Sequence, residues 1–543
     1  MKIVLSLAAF LMPVQMLLAK SHDIPTAADY VIVGVGTAGA VMARELSDDK
    51  CTSVVALQVG ENLTEVPVIK YSAGALATVL DGTVGPPFYD NGFTVPQPNA
   101  DDRQLLWAVA NPEGGASSIN AGAYCRSTKE FNAKWEAAAG PLWSVKRLQK
   151  VYKKLENYHG RTDDPSLRGY HGPLEVQQSK APSTIARKFT KAIIRATGFD
   201  YVEDYNDPKT PIGISSKVQY THHGKNGKYR VSSVNAFLDD DVVTDDGYGK
   251  HGRQLRILFD SMALRTIWDG TKAIGVEYIL DGESRTVYAE KGIIVCAGLM
   301  SSPFLLHSGV GASSLLDSLG IPVVFDNPNV GQGLCDQPSI RMVFSVNPND
   351  FIPNPNELFT QISWLPAVGG DPAVREIRIA TASPVAGITL FILDLCQPKS
   401  RGSITINSSD PLDPPLVDLG TLTDSRDLDT LQDALQVYVK NINDVLSQKD
   451  PSYELLIPPP FILDDSDLVR AFIRETIASN EHFQNHCKMA PLDQGGVVDS
   501  RGAVHGVRNL WVADNSVVPC MDGSPMSTGY LVARNIANIL KGR

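Results

Sequence analysis

Positive charge is scarce in this chain. It has 49 lysines and arginines against 60 aspartates and glutamates, so its formal net charge is −11 at pH 7. A protein that binds nucleic acid needs a basic face to neutralise the phosphates. The shortage of positive charge therefore argues against a nucleic-acid partner.

Cysteine is sparse as well. The seven cysteines are spread along 543 residues, at positions 51, 125, 296, 335, 396, 487 and 520. Their odd number and wide spacing do not fit a disulfide framework, and no CxxC pair indicates a zinc site. We expect most of them to be small buried residues, although an exported chain has room for one disulfide.

Long hydrophobic runs are missing beyond the N-terminus. No later stretch reaches the ~18 consecutive apolar residues of a membrane-spanning helix, so we expect no stable membrane span. Residues 1–19 contain one lysine followed by a mostly apolar run that ends at Ala19. This pattern is typical of a secretory signal peptide and predicts a secreted or extracytoplasmic protein. A membrane-associated or disordered leader is the alternative.

The length and composition indicate more than one domain. Hydrophobic residues make up 43% of the chain and charged residues 20%, which is ordinary usage for a globular protein. Chains longer than about 250–300 residues usually divide into domains. We therefore expect two domains with large cores.

A glycine-rich turn follows the first β-branched run. The segment YVIVGVGTAGAVMARELSDD reads as a strand, a turn and a helix, and SVVALQ reads as a second strand. In this βαβ context the glycines allow a tight turn, close approach to a pyrophosphate and close helix packing. Free N–H groups at the helix N-terminus favour phosphates. A purely structural turn is the alternative. The predicted dinucleotide-binding residues are Gly34, Gly36, Thr37, Ala38 and Gly39.

The end of the second strand departs from the usual dinucleotide pattern. An acidic residue that binds the adenosine ribose is expected there, but the chain has Gln58, 24 residues after Gly34. The amide oxygen of Gln58 still accepts a hydroxyl proton, although without charge. We therefore predict that Gln58 binds the ribose more weakly than a carboxylate does.

Four ordered motifs resemble one flavoenzyme family. They are GGASSINAGAY, KYRVSSVNAFL, KGIIVCAGLMSSPFLLHSGVG and GGVVDSRGAVHGVRNLWVADNSVVP. The chain resembles the glucose–methanol–choline (GMC) flavin oxidoreductases over residues 29–541. SINAGAY and STGYLVAR are similar to the aryl-alcohol oxidase and hydroxynitrile lyase branches. The chain is thus identified as a divergent member of this family.

The resemblance implies FAD as the cofactor and places further cofactor-binding residues. The glycine-rich loop, the second signature and the C-terminal flavin segment of the family all have counterparts in this sequence. The residues that the resemblance assigns to FAD are Gly114, Gly115, Ser118, Asn120, Ala121, Ala297, Gly298, Asp514, Asn515, Met526, Ser527 and Thr528.

The expected fold class is α/β, with a Rossmann-like FAD-binding domain and a second α+β substrate-binding domain built from insertions. We predict that residues 28–158, 215–335 and 485–543 form a discontinuous FAD-binding domain. Residues 159–214 and 336–484 form the predicted substrate-binding domain. An amphipathic helix is expected at 425–448, with its apolar face in the core.

The segment NEHFQNHCKMAP holds two histidines four residues apart. Alignment with the family places His482 at the position of the catalytic histidine, whereas His486 falls where a small residue is usual. A histidine with a pKa near 6.5 accepts a hydroxyl proton near neutral pH. A metal site is the alternative for the pair, but no H-E-x-x-H pattern or third ligand supports it. A structural role in the interior is open to both residues, and more so to His486.

The second catalytic residue of the family, a His or Asn, falls on Ser524 in this chain. Serine is a poor base and does not become a cation. Either His482 acts nearly alone, His486 takes the missing role, or activity is reduced. Asp336-Gln337-Pro338 replaces the family's D-H-P, and NPE at 111–113 replaces its Arg-Gly.

Three functions follow from the resemblance. The first is an FAD-dependent oxidoreductase that acts on the CH–OH group of an alcohol, with oxygen or another acceptor taking the electrons. Hydride then passes to flavin N5 while His482 takes the proton. The second is a hydroxynitrile lyase with non-redox FAD, and the third is a degenerate FAD-binding protein.

Overall fold

The computed structural model describes residues 24–71, 89–180, 182–223, 229–354, 357–519, 523 and 525–542. The predicted signal peptide, residues 1–19, lies outside the described residues. None of the helices within these ranges is both long enough and apolar enough to cross a membrane.

Two large sheets organise these residues. Their strands, in chain order, are β1 (Ala27–Val33), β2 (Val54–Leu57), β3 (Gly213–Ser215), β4 (Leu255–Leu258), β5 (Met262–Asp269), β6 (Lys272–Leu280), β7 (Glu283–Val295), β8 (Ser339–Ser345), β9 (Phe359–Leu365), β10 (Ile377–Val385), β11 (Ile388–Leu395), β12 (Glu454–Ile457) and β13 (Leu510–Val512).

Helices pack on both sheets. Those of seven residues or more are α1 (Thr37–Ser47), α2 (Lys129–Ala139), α3 (Val145–Leu155), α4 (Thr184–Thr197), α5 (Ser301–His307), α6 (Ser425–Asp433), α7 (Lys440–Lys449), α8 (Ser466–Thr476) and α9 (Pro525–Leu540). Shorter helices span Pro67–Lys70, Ala116–Ile119, Ser233–Phe237 and Ser313–Ser318. Turns of 3₁₀ helix span Pro98–Ala100, Pro141–Trp143, Pro165–Leu167, Gly298–Met300, Pro348–Asp350, Pro460–Asp464, Leu492–Gln494 and Asn515–Val517.

The first sheet has the order β4-β2-β1-β7-β6-β5, and β13 also pairs with β7. Strands β4, β2, β1, β7 and β13 are mutually parallel, whereas β5, β6 and the first half of β7 form an antiparallel meander. Helices α1 and α9 pack beside each other on this sheet. The parallel strands are apolar on both faces because helices and loops cover both sides.

The second sheet is antiparallel, with the order β12-β8-β11-β10-β9-β3. Its strands alternate, so one face packs on helices through Ile340, Met342 and Phe391. Helix α4 supplies Phe189 to that core, and α8 supplies Ile473. The opposite face carries both charged and apolar side chains, among them Arg341, Arg378 and Ile392.

Short strands join the remaining segments. Their pairs are Tyr89–Phe93 with Leu106–Ala110, Glu156–His159 with Leu174–Gln178, the latter with Gln219–Tyr220, His222–His223 with Tyr229–Arg230, Val310–Gly311 with Phe325–Asp326, Gln332–Leu334 with Gly402–Thr405, and the latter with Leu416–Asp418.

The predicted fold class is confirmed: a parallel sheet with helices lies beside an antiparallel sheet with helices on one face. Residues 255–258 do not belong to the antiparallel meander that follows them in the chain. Strand β4 instead pairs in parallel with β2, because Leu255, Ile257 and Leu258 are all buried there. The proposed domain boundaries stay a prediction.

The amphipathic segment at 425–448 is helical, and its apolar face lies in the core as expected. Leu431, Leu435 and Ile442 all belong to the core of the second sheet. The segment is not one regular α-helix, because Ala434–Val439 between α6 and α7 is π-helical. An inserted π turn rotates the apolar stripe, which the periodicity of the sequence does not reveal.

Candidate active site

The carboxyl ends of four parallel strands meet at one edge of the first sheet. Val33 pairs with both Leu57 and Val295, and Val295 pairs with Val512. The residues that follow these strands therefore emerge side by side. In open α/β sheets this edge is where ligands bind.

A deep cavity of about 780 Å³ opens at this edge and extends to the second sheet. Among the residues predicted for the site, those that line it are Gly34, Gly36, Thr37, Ala38, Gln58, Gly115, Asn120, Ala121, Ala297, Gly298, His482, Asp514, Asn515 and Met526. The structure does not place Gly39, Gly114, Ser118, His486, Ser527 and Thr528 in the lining. Ser524 lies outside the described residues.

The turn from β1 to α1 is built by its glycines. Gly34 has a φ of +90°, and a Cβ there would lie 2.8 Å from the carbonyl oxygen of Cys296. A Cβ at Gly39 would collide with the carbonyl oxygen of Gly34, so this glycine permits close packing behind the lining. Gly36 is the N-cap of α1 and has no side-chain cap. The first N–H groups of α1 are thus left for an anion in the cavity.

The loop after Asn111 closes over this turn. Gly115 has a φ of +52°, and a Cβ there would lie 2.8 Å from the Cα of Gly36. The Ser117 amide donates to the Thr37 hydroxyl at 3.2 Å, and the Ser118 hydroxyl donates to the Glu113 carbonyl at 2.7 Å. Ser118 therefore stabilises the loop through a contact outside the cavity lining.

Gln58 is held by the backbone at both ends of its amide. Its Oε1 accepts a hydrogen bond from the Val35 amide at 2.8 Å, and its Nε2 donates to the Asn111 carbonyl at 2.6 Å. The side chain therefore joins the glycine turn to the loop above it. The second lone pair of Oε1 is left for a ribose hydroxyl, so that contact stays a prediction.

Asp514 ties two of these strand ends together. Its carboxylate accepts from the Gly298 amide at 2.9 Å and from the Ser301 hydroxyl at 2.6 Å. It also accepts from the amide and the hydroxyl of Ser516. Burial nevertheless raises the pKa of Asp514 above its usual value. Asp514 thus fixes the loops at 297–301 and 514–516 around the cavity.

Two further residues connect α9 to the cavity. Asn120 accepts from Arg230 at 2.9 Å through Oδ1, and its Nδ2 lies 3.2 Å from the sulfur of Met526. Asn515 donates to the Pro525 carbonyl at 2.7 Å. Its Oδ1 is buried in the lining with no hydrogen-bond partner among the described residues. The start of α9 is therefore held against the cavity.

These features fit FAD. Gly34, Gly36 and Gly115 line the cavity, and a Cβ at Gly298 would meet nothing within 4 Å. The unused N–H groups of α1 suit a pyrophosphate. The unpartnered Oδ1 of Asn515 suits a donor group of a ligand, because buried polar atoms are normally hydrogen-bonded.

His482 lies at the other end of the cavity. Its Nδ1 is 2.5 Å from Oε1 of Gln337 and 3.5 Å from Nδ2 of Asn480. Gln337 uses its Nε2 to donate to the Cys396 carbonyl at 2.9 Å, which turns its oxygen toward His482. The shorter contact decides the tautomer: Nδ1 carries the proton, and Nε2 keeps its lone pair.

Asp336 positions the backbone of the histidine. It accepts from the His482 amide at 2.9 Å and from the Asn480 amide at 3.3 Å. Burial raises the pKa of Asp336 to about 6. Burial, and then the charge of Arg378, holds the pKa of His482 well below its usual value. The imidazole is therefore neutral at neutral pH and free to accept a proton.

His486 is fully buried at a different place. Its Nδ1 lies 2.7 Å from the hydroxyl of Ser302, which also donates to the His486 carbonyl at 2.9 Å. Burial lowers the pKa of His486 to about 3. The two histidines do not share a helix face, and among the described residues no cluster of three His, Cys, Asp or Glu side chains could hold a metal ion.

The sequence alone did not single out four charged residues of the lining, which are Arg341, Arg378, Asp413 and Glu481. Arg341 and Arg378 come from β8 and β10, and Glu481 precedes His482. The alternation of side chains along β8 and β10 indicates only the sheet face on which Arg341 and Arg378 lie. Their place in the cavity depends on how the second sheet docks against the first, which no local pattern encodes.

Comparisons with known proteins agree with this geometry. Residues 28–339 and 398–533 each match a family model described as GMC oxidoreductase. An alcohol dehydrogenase [acceptor] of Pseudomonas putida is 30% identical, over 94% of this chain and 95% of its own length. An oxygen-dependent choline dehydrogenase of Brucella anthropi is 28% identical, over 95% and 96%.

A solved structure has the same fold. It is an FAD-dependent oxidoreductase from Chaetomium thermophilum, with a TM-score of 0.84 at 24% identity. The match covers 95% of this chain and 99% of that one. At this identity the likeness concerns the fold alone.

Proposed function

Because the chain belongs to the family of GMC oxidoreductases, we propose that it oxidises the CH–OH group of an alcohol with His482 as the general base. FAD is its cofactor, and the bound flavin supplies the acceptor for the hydride. The observation that carries the proposal is the hydrogen bond between His482 and Gln337, which leaves one basic nitrogen facing the cavity.

His482 takes the hydroxyl proton at Nε2. The Gln337 oxygen binds the Nδ1 proton in the neutral imidazole and also in the imidazolium that forms, so the ring does not turn during the transfer. Arg378 disfavours the imidazolium but favours the developing alkoxide, because both lie in its positive field. His482 is thus a weak base beside a group that makes the hydroxyl more acidic.

The other residues of the site bind and orient. Gly34, Gly36 and the start of α1 receive the pyrophosphate, and Asp514 holds the loops beside it. Leu390 and Ile392 of β11 give the alcohol an apolar wall, which keeps water from the reacting carbon.

Anaerobic mixing of the purified yellow protein with a panel of primary alcohols tests the proposal. Loss of the flavin colour supports an oxidoreductase. Cyanide release from a cyanohydrin without loss of colour would instead support a lyase. A protein that retains FAD but responds to neither substrate would be a degenerate flavoprotein.

The electron acceptor is a separate part of the proposal. The name of the Brucella anthropi relative includes oxygen, and that of the Pseudomonas putida relative includes an unspecified acceptor. We propose that oxygen or another electron acceptor takes the electrons from this chain's reduced flavin after the alcohol has been oxidised. Parallel measurement of oxygen uptake and dye reduction with one alcohol distinguishes the two.

Export is proposed on the strength of residues 1–19. One lysine and an apolar run are the pattern of a signal peptide. N-terminal sequencing of the protein from the culture medium of an expressing host tests this. A cell-retained protein that begins at Met1 would contradict it.

A further inference from the structure

The inner face of the second sheet carries two arginines in different electrostatic settings. Residues Ser339, Asp394 and Arg378 pair across β8, β11 and β10, and Arg341, Ile392 and Ala380 form the next row. The two arginines thus lie in neighbouring cross-strand rows on the same face of the sheet, and both line the cavity.

Arg378 is already paired with a neighbouring carboxylate. Its Nε lies 2.6 Å from the carboxylate of Asp394, which is fully buried. The positive charge of Arg378 still acts on the cavity, but its guanidinium is already bound to the carboxylate of Asp394.

Arg341 has no such partner. Among the described residues none accepts a hydrogen bond from its side chain, and no carboxylate lies within 4 Å of it. It acts electrostatically on Glu481, which also lines the cavity. A half-buried guanidinium with five unused donors is well suited to bind a carboxylate in two parallel hydrogen bonds.

Glu481 cancels only part of this charge at neutral pH. Burial, and then the charge of Asp336, raises its pKa to about 7, while Arg341 acts in the opposite direction. Its side chain makes no hydrogen bond to a described residue. An anion bound at Arg341 favours the protonated form of Glu481, which then donates a hydrogen bond.

The remaining walls near Arg341 are apolar. Leu390 and Ile392 lie on the same sheet face, and Phe359 and Phe483 also line the cavity. Apolar walls with a few convergent polar or charged groups are the usual composition of a small-molecule site. They suit an aromatic or branched carbon skeleton between two polar ends.

We propose that the substrate is an aromatic or branched alcohol that carries a carboxylate, which Arg341 binds while His482 takes the hydroxyl proton. This assignment rests on the proposed alcohol oxidation and adds a substrate class to it. It also predicts that quaternary ammonium alcohols such as choline are poor substrates, because the guanidinium of Arg341, which forms no ion pair with a described residue, lines the cavity.

The test compares para-hydroxymethylbenzoate with its neutral isostere para-hydroxymethylbenzamide in anaerobic reduction of the FAD-loaded protein. The dependence of the reduction rate on alcohol concentration gives an apparent Kd. In the wild type this Kd is expected to be lower for the acid than for the amide. In Arg341→Gln the preference for the acid should fall by about 10- to 100-fold, the scale of a bidentate charged hydrogen bond. Arg341→Lys keeps the positive charge but loses the planar arrangement of two parallel donors. Its preference for the acid should therefore lie between that of the wild type and that of Arg341→Gln.

Arg426→Gln is the matched control, because it removes the same charge from a side chain that is 70% exposed on the outer surface. It should leave the preference as in the wild type. A preference for the acid that survives in Arg341→Gln would overturn the assignment. Faster reduction by choline than by the acid would overturn it as well.

Calorimetric titration with benzoate and benzamide measures the same site without turnover. Benzoate should bind more tightly than benzamide to the wild type and lose that advantage in Arg341→Gln. Benzoate binding without reduction by any alcohol would contradict the proposed function but support carboxylate binding at Arg341. Reduction by neutral alcohols without benzoate binding would keep the function and reject the anion site.

Discussion

Nδ1 of His482 lies 2.5 Å from the amide oxygen of Gln337, and the amide nitrogen of Gln337 is bound to the Cys396 carbonyl. An amide oxygen only accepts hydrogen bonds, so the histidine must donate through Nδ1. Gln337 thus determines which nitrogen of His482 is the base. It acts through the histidine and is a positioning residue.

Replacement of this acceptor by a carboxylate should change the titration of the base. In Gln337→Glu an anion beside Nδ1 stabilises the imidazolium, so the pKa of His482 rises, by about 1–3 pH units. Protonated His482 is not a base, and the acid limb of the rate of flavin reduction should therefore move to higher pH. Stopped-flow reduction between pH 5 and pH 9 measures this.

Gln337→Met separates charge from packing. Methionine has a similar length but no acceptor, so it should slow reduction without moving the acid limb upward. An acid limb that stays in place in Gln337→Glu would contradict the assigned tautomer.

The contact between Gly115 and Gly36 should be needed for cofactor binding. In Gly115→Ala the Cβ would lie 2.8 Å from the Cα of Gly36, so one side of the cavity must shift. The affinity for FAD should fall by about tenfold or more, equivalent to at least roughly 1.4 kcal/mol of binding free energy, and the ratio of flavin to protein absorbance after purification should fall with it. A full complement of FAD in this variant would contradict the role of the turn.

Gly270→Ala is the control for an alanine at positive φ. Gly270 has a φ of +57°, close to that of Gly115, but a Cβ there would meet nothing within 4 Å. The ψ of −138° at Gly115 lies outside the left-handed helical region, so Gly115→Ala adds backbone strain to the close contact with Gly36. Only Gly115→Ala should lose FAD.

His486 should affect stability more than chemistry. In His486→Ala the hydrogen bond to Ser302 is lost and a small cavity forms, so the free energy of unfolding should fall by about 1–3 kcal/mol. Flavin reduction should slow by less than about tenfold in the variant that folds. Chemical denaturation and single-turnover reduction measure the two effects. A loss as large as that expected for the general base would show that His486 takes the missing catalytic role.

Glu481 should make stability depend on pH. Its folded pKa of about 7 lies above that of an unfolded glutamate, so the folded state binds the proton more tightly. The stability that this proton contributes is complete below about pH 4 and is lost as the pH rises through 7. Relative to the wild type, Glu481→Gln should therefore be more stable at pH 8.5 than at pH 5.

The expected difference is about 1–2 kcal/mol, because one pKa unit is worth about 1.4 kcal/mol and solvent in the cavity screens part of it. Urea denaturation of both proteins at the two pH values measures it. Equal differences in stability at pH 5 and pH 8.5 would contradict a buried, protonated Glu481.

The local parts of the fold were predictable from the sequence. The strand, turn and helix around Gly34 and Gly36 depend on neighbouring residues, and β1 and α1 are found there. The family and its cofactor were also predictable, because four motifs occur in order along the chain.

The contacts between distant segments were not predictable. The side-chain amide of Gln58 is hydrogen-bonded to the backbone of Val35 and Asn111. The sequence showed that Gln58 stands where a ribose-binding residue is expected, but it did not show these two contacts. Arg341 and Glu481 are far apart in sequence and come together because Ala478 bridges to Ser339 at the start of β8, while their place in the cavity depends on how the two sheets dock. Strand periodicity gives the face of a side chain, but the docking of two sheets depends on the whole core.

The central claim is that His482 is the base beside the flavin. Anaerobic single-turnover reduction of the His482→Ala protein by a saturating alcohol tests it most directly, with His171→Ala, an exposed histidine, as the control. The account predicts that His482→Ala retains FAD and is reduced about 10²- to 10⁴-fold more slowly, while His171→Ala matches the wild type. Reduction of His482→Ala at the wild-type rate would contradict it.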